Sequence, residues 1–160
     1  MAAAAAAAAA VGANRCPNAV AWTATGVVAY AAHRAVALWR PDGPDDGGCG
    51  RAYGRLVGHS ASVTAVAAVD APGRSVLISG AADHTAVLWA ASAAGAYTPV
   101  ATLRGHTDAV VAVAGLAATE DALWAASASV DGTVRIWRAT WAAAGMWRKG
   151  TGEYAARCNR

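Results

Sequence analysis

The chain has 160 residues, of which 56% are hydrophobic and 14% charged, with a net charge of +3 and a pI near 9.0. That balance excludes a chain disordered throughout, because there is enough apolar surface to bury a core. The basic excess is small and unclustered, its densest groups being Arg148 with Lys149 and Arg135 with Arg138, so it reads as solvated surface charge and direct nucleic-acid binding is expected to be weak at most.

Residues 1–11 are almost entirely alanine. The tract lacks the basic start of a secretory signal and the Arg and Ser of a transit peptide. It is too short and too weakly apolar to span a membrane, so it is expected to be a low-complexity extension with no membrane partner. The three cysteines, Cys16, Cys49 and Cys158, form no CxxC pair, and the four histidines show no metal-ligand spacing. Neither a disulfide framework nor a metal site follows, and no cofactor is expected.

From residue 12 the chain reads as short Val- and Ala-rich runs broken by Gly, Pro and Asp. "NAVAW" (18–22), "GVVAYAA" (26–32), "AVALW" (35–39) and "RAYGRLV" (51–57) read as four strands of a first unit, 12–57, with "PDGPDDGGCG" (41–50) as a turn-rich connection. A second unit, 58–104, opens on "GHSASVTAV" and continues through "SVLIS" and "AVLW" to "YTPVATL". A third, 105–138, opens on "GHTDAVVAV" at Gly105, 47 residues after Gly58, and ends on "TVRIW". Alanine in "AVVAVAGLAA" would also suit a helix, but one assignment must serve both copies, and the repeat decides for strands. The third unit shows no clear fourth strand, and residues 139–160 form a tail without a clean period.

The second and third units share a constellation. Ser79, Asp83 and Trp89 recur 48 residues later as Ser127, Asp131 and Trp137, each set preceded by a Gly-His pair that contributes His59 or His106. Ser, His and Asp are the ingredients of a hydrolase triad. Nothing resembles the G-x-S-x-G elbow, however, and one catalytic site needs no second copy at a fixed period. The alternative is structural. A histidine can donate to a carboxylate from one ring nitrogen and accept from a serine hydroxyl at the other, and that hydroxyl can accept the indole N–H. Two tetrads are expected, His59–Ser79–Asp83–Trp89 and His106–Ser127–Asp131–Trp137, with no catalytic residue among them. Aligning Trp39 with Trp89 puts His33 in the Asp slot and Ala29 in the Ser slot of the first unit, which would leave that unit without a tetrad.

Gly-His, a strand with Ser, an Asp turn and a terminal Trp resemble a WD40 repeat, although Ala90 and Arg138 stand where the family often has a second Asp. The segment 12–39, with "LVGHSASVTAV" (56–66) and "AASASVDGTVRIW" (125–137), resembles the N-terminal part of the Elongator subunit 2 family. The resemblance implies an all-β fold, an incomplete WD40 β-propeller of about three four-stranded blades. It implies a non-catalytic scaffold, cytoplasmic and nuclear, whose partners are other protein subunits and which supports modification of wobble uridines in tRNA. No small-molecule substrate is implied. A generic WD40 adaptor, such as a ubiquitin-ligase substrate receptor or a signalling scaffold, remains the alternative. Propellers close with four to eight blades, so three suggest a truncated form or closure by two copies.

Overall fold

The computed structural model describes residues 13–41, 50–71, 74–119, 122–141 and 147–157, with the backbone alone for 51, 71, 118–119, 141 and 147–157. The alanine tract, Cys49, Cys158 and most of the 41–50 connection lie outside the described residues. Among the described residues every regular element is a strand, and the strands form three four-stranded sheets.

The first sheet holds β1 (Val20–Trp22), β2 (Val28–Ala32), β3 (Ala35–Arg40) and β4 (Arg51–Val57). The second holds β5 (Val63–Ala71), β6 (Arg74–Ala81), β7 (Thr85–Ala91) and β8 (Tyr97–Arg104). The third holds β9 (Val110–Thr119), β10 (Ala122–Ser129), β11 (Thr133–Trp141) and β12 (Trp147–Arg157). In each sheet consecutive strands pair antiparallel, which makes each one blade.

The stretch read as a tail therefore contributes to the third blade. β12 pairs along β11 from Thr133↔Arg157 to Trp141↔Trp147, with a register shift between Trp137 and Ala139. An outermost strand is held by one neighbour's backbone ladder and needs no clean alternation. The same freedom lets β8 carry Pro99 opposite Trp89, where the ladder is already irregular.

The blades stack face to face, and burial follows their position. In the middle blade seven consecutive residues of β6, 75–81, are buried, because a blade lies against each face. In the first blade β2 alternates buried and half-buried, because one face alone is covered. Two cores result. Ala29, Val36 and Leu38 of the first blade meet Leu77, Val87 and Trp89 of the second. Val76, Ile78 and Leu88 of the second meet Leu123, Ala125 and Trp137 of the third. The front of each later blade, which carries its tryptophan, thus seats on the back of the one before.

The first blade departs from the alignment drawn through its tryptophan. Its β2–β3 hairpin turns through two residues, His33 and Arg34, with Ala32 opposite Ala35. The β6–β7 turn has three, 82–84. The register slips by one: Trp39 faces Val28 and Ala37 faces Tyr30, whereas Trp89 faces Leu77 and Val87 faces Ser79. A one-residue slip exchanges the two faces of a strand. Tyr30, not Ala29, occupies the serine level, and Ala29 points back into the first core. The His33 backbone is fastened from elsewhere. Asn14 accepts from its N–H at 2.7 Å and donates to its carbonyl at 2.8 Å, and donates to the Val63 carbonyl at 2.7 Å.

The β6–β7 turn also sets up a clean test. His84 adopts φ 66°, and Gly132, the equivalent residue of the third blade, adopts φ 80°. A Cβ on Gly132 would meet nothing within 4 Å, so only backbone strain separates glycine from other residues there. Thermal melts should show His84→Gly stabilising by about 0.5–1 kcal/mol and Gly132→Ala destabilising by a similar amount. Opposite signs would refute the turn assignment.

Candidate functional site

The two repeated polar clusters sit where a blade's entry loop meets its second hairpin. His59 lies between β4 and β5, Ser79 on β6, Asp83 in the β6–β7 turn and Trp89 on β7. His59 Nε2 is 2.8 Å from Ser79 Oγ, and its Nδ1 is 3.1 Å from Asp83 Oδ2. Trp89 Nε1 donates to Ser79 Oγ at 2.8 Å. The third blade repeats the set. His106 Nε2 lies 2.8 Å from Ser127 Oγ, His106 Nδ1 lies 2.9 Å from Asp131 Oδ2, and Trp137 Nε1 donates to Ser127 Oγ at 2.9 Å. All eight residues named from the sequence are thus brought together in two groups of four.

The ends of each chain of bonds fix its direction. An indole N–H only donates, and an ionised carboxylate only accepts. Serine must therefore pass its hydroxyl proton towards histidine Nε2, and histidine Nδ1–H donates to aspartate. Ser79 is 0% exposed and Ser127 2%, so each hydroxyl is sealed from solvent with its donor and an acceptor site both engaged. Neither is placed to attack a substrate carbonyl.

Each cluster has a fifth member that the sequence reading missed. Thr85 donates its hydroxyl to Asp83 at 2.6 Å, and Thr133 donates to Asp131 at 2.6 Å. The signal was available, since Asp-x-Thr occurs at the same place in both units. Backbone amides complete the cradle: Ser60 N–H and Thr85 N–H donate to Asp83 at 2.8 and 3.1 Å, and Thr107 N–H and Thr133 N–H to Asp131 at 3.0 and 2.8 Å. The aspartate thus ties the loop entering the blade to the turn of its hairpin.

These contacts set the ionisation of both carboxylates. Burial opposes the charge on Asp83, but bonds from Thr85 and Ser60 and the neighbouring His59 outweigh it and hold the pKa below the ordinary 3.8. For Asp131 burial again opposes the charge, and Thr133, Thr107 and His106 outweigh it more strongly. A depressed folded-state pKa means that the unfolded chain binds protons first as pH falls. The stability these groups contribute is complete above the unfolded value and is lost as pH drops through the folded one. Urea unfolding should be flat with respect to these two groups above about pH 5 and then weaken by up to ~1.4 kcal/mol per pH unit per carboxylate. Asp131→Asn should be less stable at neutral pH and show a shallower acid loss; an unchanged slope would contradict the assignment.

A second polar link joins blades away from the tetrads. Asp70, at the far end of β5, accepts from Ala24 N–H of the first blade at 2.8 Å. Its other oxygen accepts from Ser75 Oγ at 2.9 Å, which in turn accepts from Tyr97 OH at 2.9 Å. Among the described residues no group of His, Cys, Asp and Glu is arranged to hold a metal ion, and no helix is long and apolar enough to cross a membrane.

The repeated blades and their polar clusters define a class. A family model for WD domain, G-beta repeat, matches residues 50–90 and 97–138, more than half of the chain, and the chain belongs to the WD40 family. Each matched segment begins on the outer strand of one blade and runs through three strands of the next, so the repeat itself stitches neighbouring blades together. Within that family the chain is similar to Elongator complex protein 2. It is 34% identical to the Danio rerio protein over 78% of this chain, and 32% identical to that of Drosophila melanogaster over 79%. The Saccharomyces cerevisiae protein is 30% identical over 70%. The chain spans only 13–15% of the length of these relatives. A solved structure of U3-55K shares the fold with a TM-score of 0.57 at 22% identity, covering 88% of this chain and 37% of that one.

Proposed function

We propose that the chain is a non-catalytic WD40 scaffold acting within the Elongator complex, and through it in the modification of wobble uridines in tRNA. The observation that carries this reading is the reach of the similarity. The Danio rerio alignment spans 128 residues, more than the interval 50–138 that contains both matched repeats can hold. It therefore includes sequence outside the generic repeats. The tetrad geometry supports a scaffold, since its serines are sealed into the fold. On this reading the partners are other protein subunits, the chain acts in cytoplasm and nucleus, and RNA is contacted by other subunits.

The test is to tag the chain in its own cells, purify it gently and identify its companions by mass spectrometry. Recovery of other Elongator subunits is the expected result. Recovery of a cullin ligase or signalling complex instead would move the assignment to a generic adaptor. Chaperones alone would overturn docking by this chain.

A further inference from the structure

Arg40 closes β3 at the end of the first blade away from the His33 turn, and it is exposed. Its ladder partner is Arg51, the first residue of β4. Ladder partners share one face of a sheet, and like charges directly opposite each other destabilise it. The other blades do without the pair. The second has Ala90 opposite Thr98 at this position, and Arg138 of the third has no ladder partner on β12. Among the described residues no carboxylate pairs with Arg40, and β3, β4 and β8 contain no acidic residue.

Tyr53 adds a platform. It falls where the ladder is irregular, between Ala52 opposite Trp39 and Gly54 opposite Leu38, and has no ladder partner of its own. A bulge of this kind re-aims a side chain. The Arg40 guanidinium lies 5.2 Å from the centre of the Tyr53 ring, and Tyr53 is 41% exposed. Burial raises the pKa of its hydroxyl above the ordinary 10.0, with Arg40 opposing the rise and Tyr97 of the second blade adding to it. Arg40 also shares its face with Leu38, which packs against the second blade. The group thus sits at the outer mouth of the groove between the first two blades. Both walls of that groove belong to this chain, so a further blade at either end of the stack would cover other faces.

We propose that Arg40 and Arg51 dock an acidic segment of a protein partner, with Tyr53 holding the Arg40 guanidinium in place. The inference rests on the scaffold reading only in taking the partner to be a protein. A guanidinium presents a planar fork that a carboxylate matches, and two side by side suit two acidic residues of one segment. Arg55, the other cation of β4, stands opposite Ala37 on the opposite face. Two charges therefore meet the partner, whereas a nucleic-acid backbone calls for a longer basic stripe.

Fluorescence anisotropy of a labelled peptide of alternating glutamate and serine, titrated with the full chain at low ionic strength, tests the site. Saturable binding that weakens as salt rises is expected. The same peptide with glutamine for glutamate should bind about 10-fold more weakly or worse. Arg40→Ala and Arg51→Ala should each weaken binding by about 3- to 10-fold, and Tyr53→Ala by about 2-fold. Arg104→Ala removes an exposed cation two residues before His106 and should change nothing. The arginine variants should melt no lower than wild type, since each relieves repulsion; Arg40→Gln and Arg51→Gln replace any that does. No binding by wild type overturns the proposal and leaves the arginines to Asp42, Asp45 and Asp46 of the connection between them. Equal affinity in wild type and both arginine variants overturns it too, since the attraction is then general. Tighter binding of a labelled single-stranded RNA, lost in the same variants, would make the corner a nucleic-acid contact instead. These titrations need no Elongator subunit, so a negative result beside recovery of those subunits removes this site and leaves the scaffold reading in place.

Discussion

Trp89→Ala is expected to lower the unfolding free energy by about 3–5 kcal/mol, the cost typical of emptying a buried tryptophan site. Trp89 is 1% exposed and sits in the core shared by the first and second blades. Its ring also fills space that no other side chain can take. A Cβ placed on Gly58 would lie 2.8 Å from its Cη2 atom, so the glycine of Gly-His and the tryptophan of the same unit are a matched pair. Removing the ring therefore leaves a cavity between two blades and withdraws the N–H that Ser79 accepts. Two companions separate these contributions. Trp89→Phe keeps most of the volume and loses the hydrogen bond, so it should cost about 1 kcal/mol from that source. Trp39→Ala removes the residue at the same repeat position, but from a half-buried front, and should cost less than half as much as Trp89→Ala. Urea unfolding with unchanged m-values is the measurement. Equal losses at Trp39 and Trp89 would mean that the first blade's front is not open as described.

The contrast between those two tryptophans also marks what could be read from residues alone. The repeat of Gly-His, Ser, Asp and Trp specified the strands, the turns and both tetrads, because each residue type has one role in that pattern and the pattern occurs twice. Where a second copy was degenerate the reading slipped. Trp39 aligned the first unit by sequence distance, but the shorter turn at His33 and Arg34 moved the ladder by one residue and exchanged the faces of β2. Sequence spacing measures the chain, whereas register measures the turn as well. β12 was missed for a different reason: an outer strand answers to one neighbour's backbone, which leaves little pattern in its side chains. The links from Asn14 to Val63 and from Asp70 to Ala24 were beyond reach too, since each joins residues of different units through a backbone group that any residue type supplies. Thr85 and Thr133 were legible and overlooked, as the repeated Asp-x-Thr shows.

His106→Ala should destabilise by about 1–3 kcal/mol, the cost of leaving buried polar groups unpaired. The imidazole is 2% exposed and the Asp131 side chain 7%, so water cannot readily replace what is removed. Its loss deprives Ser127 Oγ of the acceptor at 2.8 Å and Asp131 Oδ2 of the donor at 2.9 Å. Asp131 keeps the bonds from Thr107 and Thr133, which bounds the damage on the carboxylate side. The serine side has no such reserve, and there the arrangement makes a sharper claim. Because Ser127 stands between Trp137 and His106, the two substitutions His106→Ala and Ser127→Ala remove overlapping bonds and should not add. Coupling of about 0.5–3 kcal/mol is expected in the double-mutant cycle, the range for residues in one hydrogen-bonded network. His33→Ala provides the control, since His33 is exposed and the structure fastens its backbone instead of its ring. A near-zero shift at His33 beside a coupled loss at His106 and Ser127 would establish that the tetrad works as one unit. Additive losses would reduce it to separate contacts that happen to lie together.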